Sequence, residues 1–428
     1  MLFLPNYRGV LWVLASVCTV FTAVAQKIPV NYDESQMPAY TLPNPLVLSN
    51  GKPVTSVSVW EKTRRPELRK LFAEEVYGVN PFPSTIKSTV EVKTVNENAL
   101  GGKAISKQIT LRFPTISPTA ALNILLYLPK NAKKAPAFVS LNFTGNHSTT
   151  HEKEVLVTEN WVNSGFDKSF VNNRATETSR GIAERRWPYE AIVARGYAVA
   201  TAYYGDLEPD HAEGWKTGIR SVLTPEQREK WSALGVWAWS MSRMVDYLIE
   251  HEGQIDAKKI IGVGHSRIGK ATLWAGAEDP RFAVVISNDS GEGGAALARR
   301  WIGETVEHLN TQFPHWFCAN YKKYNKAVAQ LPVDQHELLS LIAPRPLYVA
   351  SASKDTWADP KGEFLSAVEA GKVYQLYKKT GLGTSEMPAV NTSVGQSIGY
   401  HLRDGGHDIL LYDWEQYMNF IDKHIKIQ

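Results

Sequence analysis

The run Ile260-Ile261-Gly262-Val263-Gly264-His265-Ser266-Arg267-Ile268-Gly269-Lys270 sets a serine between an apolar, strand-like stretch and a helix-like one. A hydroxyl becomes a nucleophile when a sharp strand-to-helix turn lifts it into a cleft and a neighbouring base takes its proton. Gly264 and Gly269 allow the close backbone approach such a turn needs, and the helix beginning after Ser266 offers a positive end to developing negative charge. The spacing departs from G-x-S-x-G by one residue, since the second glycine falls at Gly269. A tight turn capped by serine would use the same residue types, so the presence of a base decides between the two.

Hydrolases with this turn read serine, acid, histidine along the chain. Among 11 histidines, His407 is the one in the expected place, in Gly405-Gly406-His407-Asp408 near the C-terminus. The glycines let the backbone present an imidazole to a cleft. Two acids compete for the third place: Asp355 ends the stretch Leu347-Tyr348-Val349-Ala350-Ser351-Ala352-Ser353-Lys354-Asp355, and Asp289 ends Val284-Val285-Ile286-Ser287-Asn288-Asp289. Either carboxylate could hold the imidazole tautomer and stabilise the imidazolium. Asp355 is favoured, and Asp289 stands as the alternative acid. Arg267, directly after the serine, can offer its backbone N–H or its guanidinium to an oxyanion. The loop Asn142-Phe143-Thr144-Gly145-Asn146-His147 is a weaker source of oxyanion N–H groups.

These groups need a scaffold that presents them from strand ends. Alternating stretches at Ser88–Thr94, Lys103–Phe113 and Ala121–Leu128 read as antiparallel strands at one sheet edge. From Ala137 the pattern changes to apolar runs, Ala137–Phe143, Tyr197–Tyr204, Ile260–Ser266, Ala283–Ser290 and Pro346–Asp355, separated by helical segments such as Gly235–His251. Another helix is expected over Trp60–Tyr77. Strands alternating with helices give an α/β class with a mostly parallel central sheet, a three-layer α/β/α sandwich of the α/β-hydrolase fold.

Arg8, an apolar run from Gly9 to about Phe21 and the small residues Ala23 and Ala25 read as a signal peptide over 1–25 cleaved near Ala25-Gln26. The run is shorter than the roughly 20 residues of a membrane-spanning helix, so no span is expected and the mature chain is secreted or periplasmic. Residues 26–428 then form a single catalytic domain that begins with a Pro- and Asn-rich extended arm to about Pro53. A formal charge of +4, with Lys and Arg scattered, gives no support to nucleic acid as a partner. Of the two cysteines, Cys18 leaves with the signal peptide, so Cys318 has no intrachain partner. Thirteen Trp and 18 Tyr suit a protein that grips sugars through aromatic faces, although most must simply pack.

Gly264-His265-Ser266-Arg267-Ile268-Gly269-Lys270 resembles the G-C-S-R-x-G-K elbow of the glucuronoyl esterases, carbohydrate esterase family 15. Asp289-Ser290-Gly291-Glu292-Gly293-Gly294-Ala295-Ala296 is similar to that family's E-S-G-x-G-G-A-A, Leu341-Ile342-Ala343-Pro344-Arg345-Pro346 to its L-I-A-P-R, and Trp357-Ala358-Asp359-Pro360 to its substrate-side tryptophan segment. The resemblance runs from about Ala137 to the C-terminus. It implies hydrolysis of the ester between 4-O-methyl-glucuronic acid of glucuronoxylan and a lignin alcohol, with no metal or other cofactor. It also implies roles: Ser266 as nucleophile, His407 as base, Arg267 as oxyanion partner, Lys270 and Glu307 as sugar contacts, and Trp357 as a wall of the uronate site.

Two residues depart from the fungal pattern. His265 replaces a cysteine, which removes the disulfide implied at the histidine loop, and Asp289 replaces a glutamate, which favours Asp355 as the acid. The competing readings are an acetyl-xylan or other carbohydrate esterase of the same fold, and a noncatalytic carbohydrate-binding protein. The partner expected is a glucuronoxylan or lignin–carbohydrate ester, met by a monomer.

Overall fold

The computed structural model describes residues 28–83 and 86–425, together with Met1. The signal-peptide reading, its cleavage point and Cys18 lie outside the described residues. Ten strands make one sheet: β1 (Thr89–Asn98), β2 (Ala104–Arg112), β3 (Ala121–Pro129), β4 (Ala135–Asn142), β5 (Ala198–Tyr203), β6 (Ile255–His265), β7 (Phe282–Asn288), β8 (Leu347–Ala352), β9 (Ser393–Gly395) and β10 (Ile398–Arg403). Their order is β1-β2-β3-β5-β4-β6-β7-β8-β10-β9. From β5 through β10 the neighbours pair in parallel. β1, β2 and β3 form the antiparallel edge, as their alternating sequences lead one to expect, and β9 closes the other edge antiparallel to β10.

The central strands are continuous apolar runs because both of their faces are covered. Successive side chains point to opposite faces, so Ile260, Val285 and Val349 enter one core while Ile261, Val284 and Ala350 enter the other. The first core is completed by the helices Ala233–His251, Arg267–Glu278 and Pro360–Leu376, and the second by Tyr189–Ala194 and Leu411–His424. Each fully buried Ile or Val contributes about 1.5–3 kcal/mol relative to exposure, so the three layers are held chiefly by this double burial. The α/β-hydrolase sandwich read from the sequence is the fold observed.

The Trp60–Tyr77 helix forms within a longer helical run of four segments, Val57–Val59, Trp60–Arg64, Arg65–Phe72 and Ala73–Tyr77, capped by the Ser56 hydroxyl. Ahead of it the arm lies along the domain. The carbonyl of Pro43 accepts from His336 Nε2 at 2.8 Å, and Glu34 pairs with Arg300 at 2.7 Å. Cys318 is buried and free.

Candidate active site

Ser266 sits where β6 passes into the Arg267–Glu278 helix, with φ 57° and ψ −131°. A non-glycine residue seldom holds a positive φ, and the neighbours enforce it here. The Ser266 N–H donates to Asn288 O of the adjacent strand at 2.9 Å. A Cβ at Gly264 would stand 2.4 Å from the Ile268 carbonyl oxygen, so the helix folds back directly onto the strand end. A Cβ at Gly269 would meet Ser290 Cβ at 2.9 Å, which explains the shifted second glycine: Ile268 fills the core and Gly269 takes the close contact.

The three expected triad residues meet at the C-terminal ends of parallel strands, where open α/β sheets place their ligands. His407, on the loop after β10, brings Nε2 to 2.8 Å from Ser266 Oγ. Its Nδ1 lies 2.6 Å from Asp355 Oδ2, just beyond β8. Hydroxyl, imidazole and carboxylate are thus hydrogen-bonded in sequence, a geometry suited to acyl transfer.

Asp289 does not hold the histidine. It approaches Asp355 and His407 closely, the three offering ligand atoms within 4.8 Å of one another. Its Oδ2 instead accepts from the Asp408 N–H at 3.3 Å, and among the described residues Oδ1 has no partner. Burial, then the negative fields of Glu363 and Asp355, push its carboxyl well above the usual range, against the Arg403 guanidinium 3.8 Å away. Glu363, also fully buried, accepts from Ser290 N at 2.8 Å, Gly291 N at 2.9 Å and Ser351 Oγ at 2.6 Å, tying the end of β7 to β8. Burial pushes it up to about 8.

His265, in place of the family's cysteine, packs its ring 4.5 Å from that of His407 and holds Asn288 Oδ1 through Nδ1 at 2.6 Å. Burial and then the nearby His407 push its pKa well below the usual value. A neutral ring there puts no like charge beside the imidazolium that forms in catalysis.

The Arg267 guanidinium is held by Asp210, which the sequence reading missed. Asp210 accepts from Arg267 Nη1, and from His315 Nε2 at 2.8 Å, Trp316 Nε1 at 2.7 Å and the Tyr204 hydroxyl at 2.9 Å. Burial opposes its ionisation, yet Arg267 and His315 hold the carboxyl well below the usual range. The guanidinium lies over Trp316 at 4.6 Å, with the Phe143 ring at 5.9 Å, so the Asn142–His147 loop supplies an aromatic wall. Arg267 Nε is buried and has no partner among the described residues, and the Arg267 backbone N–H opens the helix beside Ser266. Asp210 follows β5 closely, a strand-end position that was the signal available for it.

Two expected sugar contacts have protein partners of their own in the structure. Lys270 is buried, and the three protons of its ammonium go to Ser290 O at 2.6 Å, Glu292 O at 2.5 Å and Glu304 Oε1 at 2.7 Å. It ties the start of the helix to the loop after β7. Glu307 faces Lys326 at 3.8 Å, and Glu304 is the carboxylate beside the site. The cause is local: at Gly303 the backbone turns with φ 63°, so close to Trp357 that a Cβ there would stand 2.2 Å from the Trp357 carbonyl oxygen. This turn brings Glu304 inward, while Glu307 lies in a separate helix, Val306–Gln312. Trp357 stands half-buried two residues after Asp355, edge-on to His308 at 5.2 Å, and its carbonyl accepts from Glu304 N at 2.8 Å.

A family model described as fungal glucuronyl esterase matches residues 221–378. A carbohydrate esterase from an unknown prokaryotic organism is 44% identical over 426 residues, a match covering 97% of this chain and 98% of that one. A promiscuous CE15 esterase from a marine bacterial metagenome superposes with a TM-score of 0.86 at 44% identity, over 93% of this chain and 100% of that one. The glucuronoyl esterase from Solibacter usitatus does so with a TM-score of 0.85 at 46% identity, over 91% and 99%.

Proposed function

Because the chain belongs to carbohydrate esterase family 15, the glucuronoyl esterases, and is a carboxylic ester hydrolase, we propose that it cleaves the ester joining (4-O-methyl-)glucuronic acid of glucuronoxylan to lignin alcohols. The observation that carries this reading is the hydrogen-bonded line from Ser266 through His407 to Asp355, set in a chain of that family.

Ser266 Oγ adds to the uronate carbonyl carbon while its proton passes to His407 Nε2. Asp355 accepts from Nδ1–H throughout and stabilises the imidazolium. The oxyanion takes a hydrogen bond on the Arg267 side, where the first helical N–H lies. Collapse breaks the bond to the alcohol oxygen, which receives the proton from His407. Water then attacks the Ser266 ester with His407 again as base, releasing the free uronic acid and restoring the serine hydroxyl.

The carbonyl of a uronate ester is attached to the sugar ring, so holding the ring between Trp357 and Glu304 positions the carbonyl over Ser266. The chain acts, in this reading, as a monomer exported after loss of residues 1–25; N-terminal sequencing of the exported protein and light scattering test those two points.

A panel of benzyl glucuronate, its 4-O-methyl form and an acetyl ester tests the function. Higher kcat/KM on the glucuronates is expected, and preference for the acetyl ester overturns the substrate assignment. The promiscuity stated for the metagenomic relative favours, as the second reading, a wider range of carbohydrate esters including acetyl-xylan.

A further inference from the structure

The catalytic histidine sits on a loop, residues 404–410, between β10 and the Leu411–His424 helix. Hydrogen bonds to Ser266 and Asp355 fix the tip of its side chain but not the backbone that carries it. That backbone includes Gly405, with φ 121°, and Gly406, the least constrained residue type in the chain. We propose that Arg403 is the positioning residue that sets the His407 backbone, and so the Ser266–His407 distance.

Arg403, the last residue of β10, is only 4% exposed. Its Nη1 donates to Asp404 O at 2.9 Å, and its Nη2 donates to Gly406 O at 2.8 Å and to Asp408 O at 2.9 Å. The guanidinium thus grips carbonyls on both sides of His407. Its Nε donates to Asp413 at 3.2 Å, and Asp413, fully buried in the first turn of the C-terminal helix, also accepts from His401 Nε2 at 2.8 Å and Leu410 N at 2.7 Å. One planar fork therefore joins the helix to the loop.

The loop lies directly on this fork, since a Cβ at Gly405 would come 2.8 Å from Arg403 Nη1. On the far side Arg186 Nε pairs with the Asp408 carboxylate at 2.7 Å. Only a guanidinium has five N–H donors in a fixed plane; an ammonium at the same place cannot bridge several carbonyls spread along a loop and Asp413 together. A displacement of about 1 Å at a catalytic group costs on the order of a hundredfold in rate, so a residue that removes slack from this backbone acts on kcat.

The inference rests on the triad reading, and Ser266→Ala is the control for that: retained activity in that variant sinks the triad and not Arg403. Arg403→Lys and Gly405→Ala are compared with the wild type on whichever ester it hydrolyses best, with kcat normalised to the folded fraction from circular dichroism. Both are expected to lower kcat by about tenfold to a hundredfold, with KM within about twofold. Both should also shift or broaden the downfield proton resonance of the His407 Nδ1–H that Asp355 accepts, a signature that a merely stabilising residue would leave in place. Should Arg403→Lys fail to fold, Arg403→Gln, which keeps an amide donor for the loop carbonyls, is read in its place, because an alanine at Gly405 is strained by its φ of 121° whatever the fork does. A kcat per folded molecule within about twofold of wild type, with the resonance unchanged, overturns the proposal.

Discussion

Asp355 Oδ2 stands 2.6 Å from His407 Nδ1, while Asp289, at the end of the neighbouring strand, gives its Oδ2 to the Asp408 backbone. Asp289 holds a positive φ of 44°, and its carboxylate stays within 4.8 Å of His407 and Asp355 without taking the imidazole's proton donor. Asp355→Asn is therefore expected to lower kcat by about 10⁴-fold, through loss of the productive tautomer. Asp289→Asn, at a carboxyl bonded to the Asp408 backbone rather than to the imidazole, should cost less than about tenfold. Steady-state kinetics on benzyl glucuronate separates the two, and a larger loss for Asp289→Asn would reverse the assignment.

Ser266→Ala should remove about a million-fold of turnover, the scale of losing a triad nucleophile. The hydroxyl is at a partly exposed turn and adds almost nothing to the core. The melting temperature is expected to stay where it is, since alanine keeps the same Cβ at φ 57°. More than a few per cent residual activity in purified protein contradicts the nucleophile.

Lys270→Ala and Trp357→Ala should behave differently. Removing the ammonium leaves Glu304, whose side chain is 9% exposed, without its cation, a loss of about 3–5 kcal/mol on breaking a buried pair. Urea unfolding should show that loss, and hydrolysis of uronate and acetyl esters should fall together. Trp357→Ala, at the rim, should cost tenfold or more in kcat/KM on methyl glucuronate and little on a small acetyl ester. Equal losses on both esters for Trp357→Ala would make the indole structural.

Burial raises Glu363 from 4.5 to about 8, so the folded protein keeps a proton that the unfolded chain releases. The stability this provides is whole below about pH 4.5 and is lost as pH climbs toward about 8. Glu363→Gln keeps an acceptor for Ser290 N and Gly291 N and removes the titration. Its melting temperature should fall less steeply than that of the wild type across this window. Parallel declines would show that Glu363 is not the titrating group.

The apolar runs betray the central strands because burial on both faces leaves no room for polar residues, and the elbow betrays itself through glycines that only contact distance explains. β10 is not legible: Gly399, His401 and Arg403 interrupt its apolar pattern, although each has a place there. A Cβ at Gly399 would lie 2.4 Å from the Tyr348 ring, and His401 and Arg403 both reach Asp413. Partners so distant in sequence leave no periodic trace. Glu304 and Glu307 look alike in the sequence because a single turn at Gly303 decides which one faces Lys270. Lys270 misleads for a related reason: one helical turn after the serine puts it beside the site, but its acceptors sit on the loop after β7.

Ser266 and His407 are 141 residues apart, and the histidine follows a strand, β10, that joins the parallel sheet through β8. During synthesis the elbow is made long before its base, so a chain still emerging from the ribosome carries a serine without that partner. Pairings this remote in sequence close late in folding. In a stopped-flow refolding experiment, ester turnover should therefore lag behind the recovery of helical circular dichroism, which makes the reaction a clock for the seating of the last parallel strand.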